Sequence, residues 1–125
     1  MVGAVAIALI LTSRSGDRPL VPGSEEQLAH GEEVFQANYA TCHGDELQGT
    51  FVGPPFLNDI YAPEHHPDDA FRQAVANGVQ PHHWDFAGMP PIPGLSDDDV
   101  EAVISYVRSV QEENGIGDEE PSAAR

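Results

Sequence analysis

The chain lacks lysine, has a single cysteine among its 125 residues and contains no apolar run long enough to cross a membrane. One cysteine excludes a disulfide within the chain, so a domain of this size needs another source of stability, such as a bound group. Five arginines against 21 acidic residues give a formal net charge of −16, which excludes nucleic acid and anionic lipid headgroups as partners. The acidity indicates either attraction to basic partners or adaptation to a salty medium.

The first eleven residues, Met1 to Leu11, are almost wholly apolar. As a helix they would extend only about 17 Å, which is short of a hydrocarbon core of about 30 Å. Their length is typical of the apolar part of a signal peptide, although no basic segment precedes it. We predict that residues 1–23 comprise a secretory signal or membrane anchor, truncated at its start, and a linker over residues 12–23. The protein would then work in the periplasm or elsewhere outside the cytoplasm. A buried core helix is the alternative.

Three segments have the apolar periodicity of α-helices and begin or end at residues that favour helix termini. The predicted helices begin at Ser24, Pro67 and Ser96, and they end near Tyr39, at Asn77 and near Val110. No segment alternates as a strand would, so we predict an all-α domain over residues 24–111 and a disordered acidic tail over residues 112–125. The loops between the helices are long and rich in glycine and proline, and a large flat apolar cofactor would give them a surface to wrap around.

The most informative segment runs from Gln36 to Gly44, at the end of the first predicted helix. It places the thiol of Cys42 beside the imidazole of His43. In the pattern C-x-x-C-H, two cysteines bond the vinyl groups of haem and the histidine ligates its iron. Here Tyr39 occupies the first cysteine position, so the motif is incomplete. A cysteine next to a histidine is common by chance, and a structural cysteine beside a surface histidine is the alternative.

Four other features resemble those of class I cytochromes c, in the same order and spacing. They are the Gly31-to-Phe35 segment before the motif, Gly53-Pro54 after it, Gly88-Met89-Pro90-Pro91 in a late loop, and Tyr106 in the last helix. The resemblance covers about residues 24–111. It implies the cytochrome c fold, in which three principal helices and long loops surround one haem.

The resemblance also implies roles for individual residues. His43 and Met89 would ligate the iron on its two sides, and the carbonyl of Pro54 would accept a hydrogen bond from the second ring nitrogen of His43. His/Met ligation suits electron transfer and leaves no open site for oxygen or peroxide. With Tyr39 in place of a cysteine, the chain is similar to the single-cysteine cytochromes c of certain protist mitochondria. Haem c would then be attached by one thioether, at Cys42.

The function implied by the resemblance is a one-electron carrier rather than an enzyme. We expect a monomeric domain that serves redox proteins with a basic docking face, either as a free shuttle or as a domain of an oxidoreductase. Residues 1–11 would anchor it if they are not cleaved. A domain that keeps the fold but binds haem poorly because of Tyr39 remains an alternative.

Further polar residues leave other sites open. Trp84 could donate a hydrogen bond to a haem propionate or pack in the core. His82 or His83 could replace Met89 as the distal ligand. If the distal site stayed open, the protein would be a haem sensor or a peroxidase-like enzyme.

A copper module is a further alternative, since Cys42, His43, Met89 and one of His82 or His83 are the ligand types of blue-copper sites. His65 and His66 are interpreted as solvated loop histidines, because adjacent histidines rarely converge on one ion.

Overall fold

The computed structural model describes residues 19–81 and 85–117. In chain order they form α1 (Glu25–Asn38), α2 (Ala40–His43), a 3₁₀ turn (Asp59–Tyr61), α3 (Asp68–Asn77) and α4 (Asp97–Glu113). An isolated antiparallel bridge joins Val79 to Met89. Apart from this bridge, residues 19–81 and 85–117 contain no β-strand. The all-α prediction is therefore confirmed, and α1, α3 and α4 are the three principal helices.

Several predictions concern residues outside the described ranges. These are the signal or anchor with the start of its linker, the residues Trp84, His82 and His83, and most of the acidic tail. Of the residues predicted to be tail, Glu112 and Glu113 belong to α4, and residues 114–117 form turns that follow it. No helix within 19–81 and 85–117 combines the length and the apolar character needed to cross a membrane.

The helices begin where their capping residues predict. The hydroxyl of Ser24 accepts a hydrogen bond from the Gln27 backbone N–H, and the Gln27 side chain accepts a hydrogen bond from the N–H of Gly23. Ser96 and Asp99 form a complete capping box at the start of α4. These bonds satisfy N–H groups that have no partner within the helix.

The helices α1 and α4 cross at Gly31 and form the centre of the fold. A Cβ atom on Gly31 would lie 2.0 Å from the carbonyl oxygen of Ala102, so only glycine permits this approach. Phe35 is fully buried one turn later, and its ring centroid lies 5.6 Å from that of Tyr106. The crossing thus fixes the end of α1, from which the Cys42-His43 segment continues.

Two polar side chains of α4 hold the long loop that follows the Cys42-His43 segment. Gln111 is 1% exposed, and its side-chain amide nitrogen donates hydrogen bonds to the carbonyls of Phe56 and Tyr61. Arg108 donates to the carbonyls of Tyr61 and His66. These bonds satisfy loop carbonyls that have no strand partner, and they hold the loop against the helical core.

Candidate functional site

A cavity of about 520 Å³ opens between the helices and the two long loops. Its volume lies in the range of about 300–1,000 Å³ that is typical of cofactor sites. Five predicted site residues line it together, although they are spread over about two fifths of the chain: Tyr39, Cys42, His43, Pro54 and Met89. Apolar side chains from every principal helix complete the wall: Phe35, Phe71, Val75, Val103, Ile104 and Val107.

His43 lies at the end of α2, a single turn that begins after Tyr39 departs from helical geometry. The side chain is 6% exposed, and its Nδ1 atom lies 2.9 Å from the Pro54 carbonyl oxygen. Because a carbonyl only accepts, Nδ1 carries the proton and Nε2 keeps its lone pair. Burial lowers the pKa of His43, while the bond to Pro54 partly opposes that shift. The neutral imidazole that a metal requires is thereby favoured.

Met89 is positioned by the short bridge to Val79. The two residues exchange backbone hydrogen bonds of 2.9 and 3.0 Å. A glycine precedes each of the two bridge residues, and both glycines are needed for the close approach of the backbone. A Cβ on Gly78 would lie 2.4 Å from the Met89 carbonyl oxygen, and a Cβ on Gly88 would lie 2.8 Å from the Val79 carbonyl oxygen. The chain therefore brings the thioether to the cavity through backbone contacts that larger residues would obstruct.

Cys42 and Tyr39 differ sharply in their surroundings. Cys42 is an exposed free thiol on the cavity wall. Tyr39 is 6% exposed and stacks on Phe35, with 6.0 Å between ring centroids. Its hydroxyl is buried without a hydrogen-bond partner among the described residues, and burial raises the pKa of Tyr39 to about 12. The tyrosine thus fills the first cysteine position with an apolar ring and leaves one thiol for attachment.

The structure corrects one prediction and adds residues that the sequence did not reveal. His66 is not a solvated loop histidine: it is partly buried, lines the cavity and donates from Nδ1 to the Ile60 carbonyl. His65 is exposed, as expected. Thr50 was not predicted, yet its hydroxyl donates to the Cys42 carbonyl over 2.6 Å. Nothing in the local pattern distinguishes these residues from other loop residues.

The residues present fit a haem on chemical grounds. The cavity combines a neutral imidazole with a fixed tautomer, a soft thioether and a thiol, on otherwise largely apolar walls. These are the axial ligand and attachment groups of c-type haem. Within the described part of the chain, no group of three or more His, Cys, Asp and Glu side chains is arranged to hold a metal ion directly.

Comparison with known proteins identifies the family. The profile of the family "Cytochrome c" matches residues 28–111. The CcoP subunit of a cbb3-type cytochrome c oxidase from Rhodobacter capsulatus is 32% identical over 93 residues, which are 71% of this chain and 31% of that protein. Cytochrome c6 from Cyanidioschyzon merolae is 34% identical over 84 residues, or 64% of this chain and 71% of that protein.

A solved structure supports the fold independently. Cytochrome cL from Methylophaga aminisulfidivorans superposes with a TM-score of 0.55 at 24% identity, over 69% of this chain and 54% of that one. The chain spans about a third of the length of CcoP, so the likeness to CcoP concerns one part of that subunit. On the family profile and the relatives, the chain belongs to the cytochrome c family, in class I.

Proposed function

We propose that the chain is a one-electron carrier whose haem iron is ligated by His43 and Met89. The observation that supports this most directly is the bond between His43 Nδ1 and the Pro54 carbonyl, in the cavity that Met89 also lines. It leaves Nε2 as the only ring nitrogen able to bind iron. When bound, the haem supplies a single redox centre that gains or loses one electron.

The surrounding residues adapt the site to electron transfer rather than catalysis. The Pro54 carbonyl fixes the tautomer and orientation of His43, and the thioether of Met89 raises the reduction potential relative to harder ligands. With His43 and Met89 both bound to the iron, no coordination site would be left for oxygen or peroxide. The largely apolar wall excludes water, which keeps the surroundings nearly unchanged when the charge of the iron changes.

We further propose that Cys42 alone attaches the haem, through one thioether. Tyr39 cannot form the second bond, and Cys42 is the only cysteine in the sequence. One covalent bond already makes haem binding intramolecular, which provides most of the gain in effective concentration. A contact of Trp84 with a haem propionate remains part of this proposal.

The partners are proposed to be redox proteins with a basic docking face. The net charge of −16 favours such partners. Because one relative is a subunit of an oxidase, a respiratory complex fits as donor or acceptor. We propose that the carrier works outside the cytoplasm as a monomeric domain over residues 24–111, delivered or anchored by residues 1–11 and followed by an acidic tail.

Absorption spectroscopy and the intact mass test the proposal. We expect a mass increase of one haem that survives denaturation, and a low-spin c-type spectrum with a sulfur-to-iron charge-transfer band. In Met89→Ala this band should disappear and the reduction potential should fall by on the order of 100 mV, because the soft ligand is lost. His65→Ala is the matched control, since it removes an exposed side chain. Its band and potential should equal those of the wild type.

Four results would contradict the proposal. A colourless, folded protein without iron would exclude the haem function altogether. A blue copper band would identify the copper module instead. A high-spin haem in the wild type, or an unchanged band in Met89→Ala, would exclude Met89 as the distal ligand.

A further inference from the structure

The largest exposed apolar side chains of the described residues include two neighbours in the loop after the Cys42-His43 segment. Phe51 is fully exposed and Val52 is 60% exposed. Folding does not account for them, because neither side chain is buried in the core. An exposed aromatic next to a second apolar residue is typical of a surface that another protein covers. We refer to Phe51 and Val52 as the loop tip.

The loop tip has a defined backbone. The Thr50 N–H donates to the Gly53 carbonyl over 3.0 Å, which closes the turn around the tip. The Thr50 hydroxyl accepts from the Val52 N–H over 3.1 Å and donates to the Cys42 carbonyl. Residues on both sides of Phe51 are therefore hydrogen-bonded. An aromatic side chain on such a turn loses little conformational entropy when a partner binds it.

The loop tip lies directly beside the cavity. Val52 lines the cavity wall, and a Cβ on the next residue, Gly53, would lie 2.4 Å from the Cys42 carbonyl oxygen. The loop thus packs on the backbone of the residue that we propose as the haem attachment point. A protein bound over Phe51 would approach the cavity at Cys42.

The loop that bears the tip carries acidic residues. Asp45 and Glu46 are exposed on the same loop. In the described ranges, Arg72 is paired with Glu101 and Arg108 with Asp68, so both arginines of these ranges are already engaged by carboxylates. No lysine exists in the sequence to offset the acidic residues. The loop that bears the tip therefore carries acidic residues and no arginine or lysine, which complements a basic partner.

We propose that the loop tip is the apolar anchor of the docking surface for a redox partner whose basic rim surrounds an apolar pocket. This inference rests on the proposed electron-carrier function and adds to it the residues that the partner contacts. Phe51 supplies the buried contact, and the acidic residues of the loop orient the approach. A partner held there would lie beside the part of the cavity wall where Cys42 would hold the haem, which would shorten the path for electron exchange.

Stopped-flow electron exchange tests the docking role on the holoprotein. The probes are a lysine-rich mitochondrial cytochrome c, as a basic protein partner, and hexaammineruthenium, as a small cationic reagent. Phe51→Ala should lower the second-order rate constant with the protein probe about tenfold and leave the rate with the small reagent within about twofold. Val21→Ala is the matched control, since it truncates another exposed apolar side chain that does not line the cavity. Both of its rates should equal those of the wild type.

The outcomes separate docking from the haem site itself. An absorption spectrum and reduction potential equal to the wild type in Phe51→Ala show that the site is intact, so a failure of the haem proposal would be visible before any kinetics. Unchanged rates with both probes would overturn the docking role. Equal losses with both probes would assign Phe51 to the haem environment instead.

Two further measurements test other occupants of the tip. If sedimentation showed a wild-type dimer that Phe51→Ala converts to a monomer, the tip would be a contact between copies of this chain. If the wild type bound phosphatidylcholine vesicles and Phe51→Ala did not, the tip would be a membrane contact. Either result would overturn the assignment to a redox partner.

Discussion

At the scale of single residues, Tyr39 determines how this chain differs from a C-x-x-C-H cytochrome. Its ring packs on Phe35 and contributes apolar burial, but its hydroxyl is buried with no partner among the described residues. An unpaired buried hydroxyl loses its hydrogen bonds to water without replacing them, and this costs about 1–3 kcal/mol. The ring therefore stabilises the site while the oxygen atom destabilises it.

Removing that oxygen should stabilise the protein. We expect Tyr39→Phe to raise the free energy of unfolding by about 1 kcal/mol at pH 7, measured by chemical denaturation of the holoprotein. The unfolded tyrosine ionises near pH 10, whereas burial raises the folded pKa to about 12. Tyr39 therefore causes the wild type to lose stability as the pH rises through this window, and Tyr39→Phe should lose less.

Tyr106→Phe is the matched control for this prediction. Tyr106 is only half-buried, and its hydroxyl is not a buried group without a partner, so its removal relieves no such cost and should not stabilise the protein. If Tyr39→Phe proved neutral or destabilising, the Tyr39 hydroxyl would have a partner in the holoprotein, such as a bound water.

At the scale of elements, the site depends on how short segments end. The helix α3 ends at Gly78, whose φ of +73° turns the chain into the bridge between Val79 and Met89. The same glycine lets the Met89 carbonyl approach closely, so one residue provides both the turn and the space. The position of the proposed distal ligand thus depends on a glycine eleven positions earlier in the chain.

Gly78→Ala should therefore affect Met89 as well as stability. The backbone of Gly78, with a φ of +73° and a ψ of −175°, costs an alanine about 1–3 kcal/mol, and the added Cβ would lie 2.4 Å from the Met89 carbonyl oxygen. We expect loss or a clear weakening of the sulfur-to-iron band, together with a lower thermal midpoint. Gly94→Ala is the matched control: it has a φ of +85° but no atom within 4 Å of the added Cβ. It should lower the midpoint and leave the band unchanged, and an intact band in Gly78→Ala would contradict this positioning role.

At the scale of the whole molecule, the acidic charge opposes folding. A formal charge of −16 on a chain of 125 residues causes self-repulsion in the folded state that the unfolded chain relieves. The ion pairs Arg108–Asp68 and Arg72–Glu101 offset only a small part of it. The balance between repulsion and these pairs sets the response of the protein to salt.

Salt should stabilise the holoprotein. Raising the ionic strength from about 10 mM to about 150 mM shortens the screening length from about 30 Å to about 8 Å, which weakens repulsion across the molecule more than contacts within ion pairs. We expect the thermal midpoint to rise by several degrees, measured by circular dichroism at constant pH. Arg72→Gln is the control for the ion pairs, and it should keep most of the rise. A midpoint that fell with added salt would show that the pairs outweigh the repulsion.

Features that depend on short-range signals could be predicted from the amino-acid sequence. The helix starts at Ser24 and Ser96 follow from side chains that cap the next turn, and the apolar periodicity predicts the faces of the helices. The proposed ligands His43 and Met89 were recognisable because they lie in short motifs. All of these signals act within a few residues, so they can be read without knowing the path of the chain.

The tertiary structure alone decided what depends on contacts across the chain. Gln111 holds the Phe56 carbonyl from 55 positions away, and His66 reaches the cavity because Arg108 and Gln111 hold its loop against the core. The exposure of Phe51 is likewise a property of the folded loop, since an aromatic residue in a sequence predicts burial as readily as contact with a partner. Such contacts form only after the helices pack. No local sequence pattern predicts which side chain will donate a hydrogen bond to a carbonyl of an irregular loop.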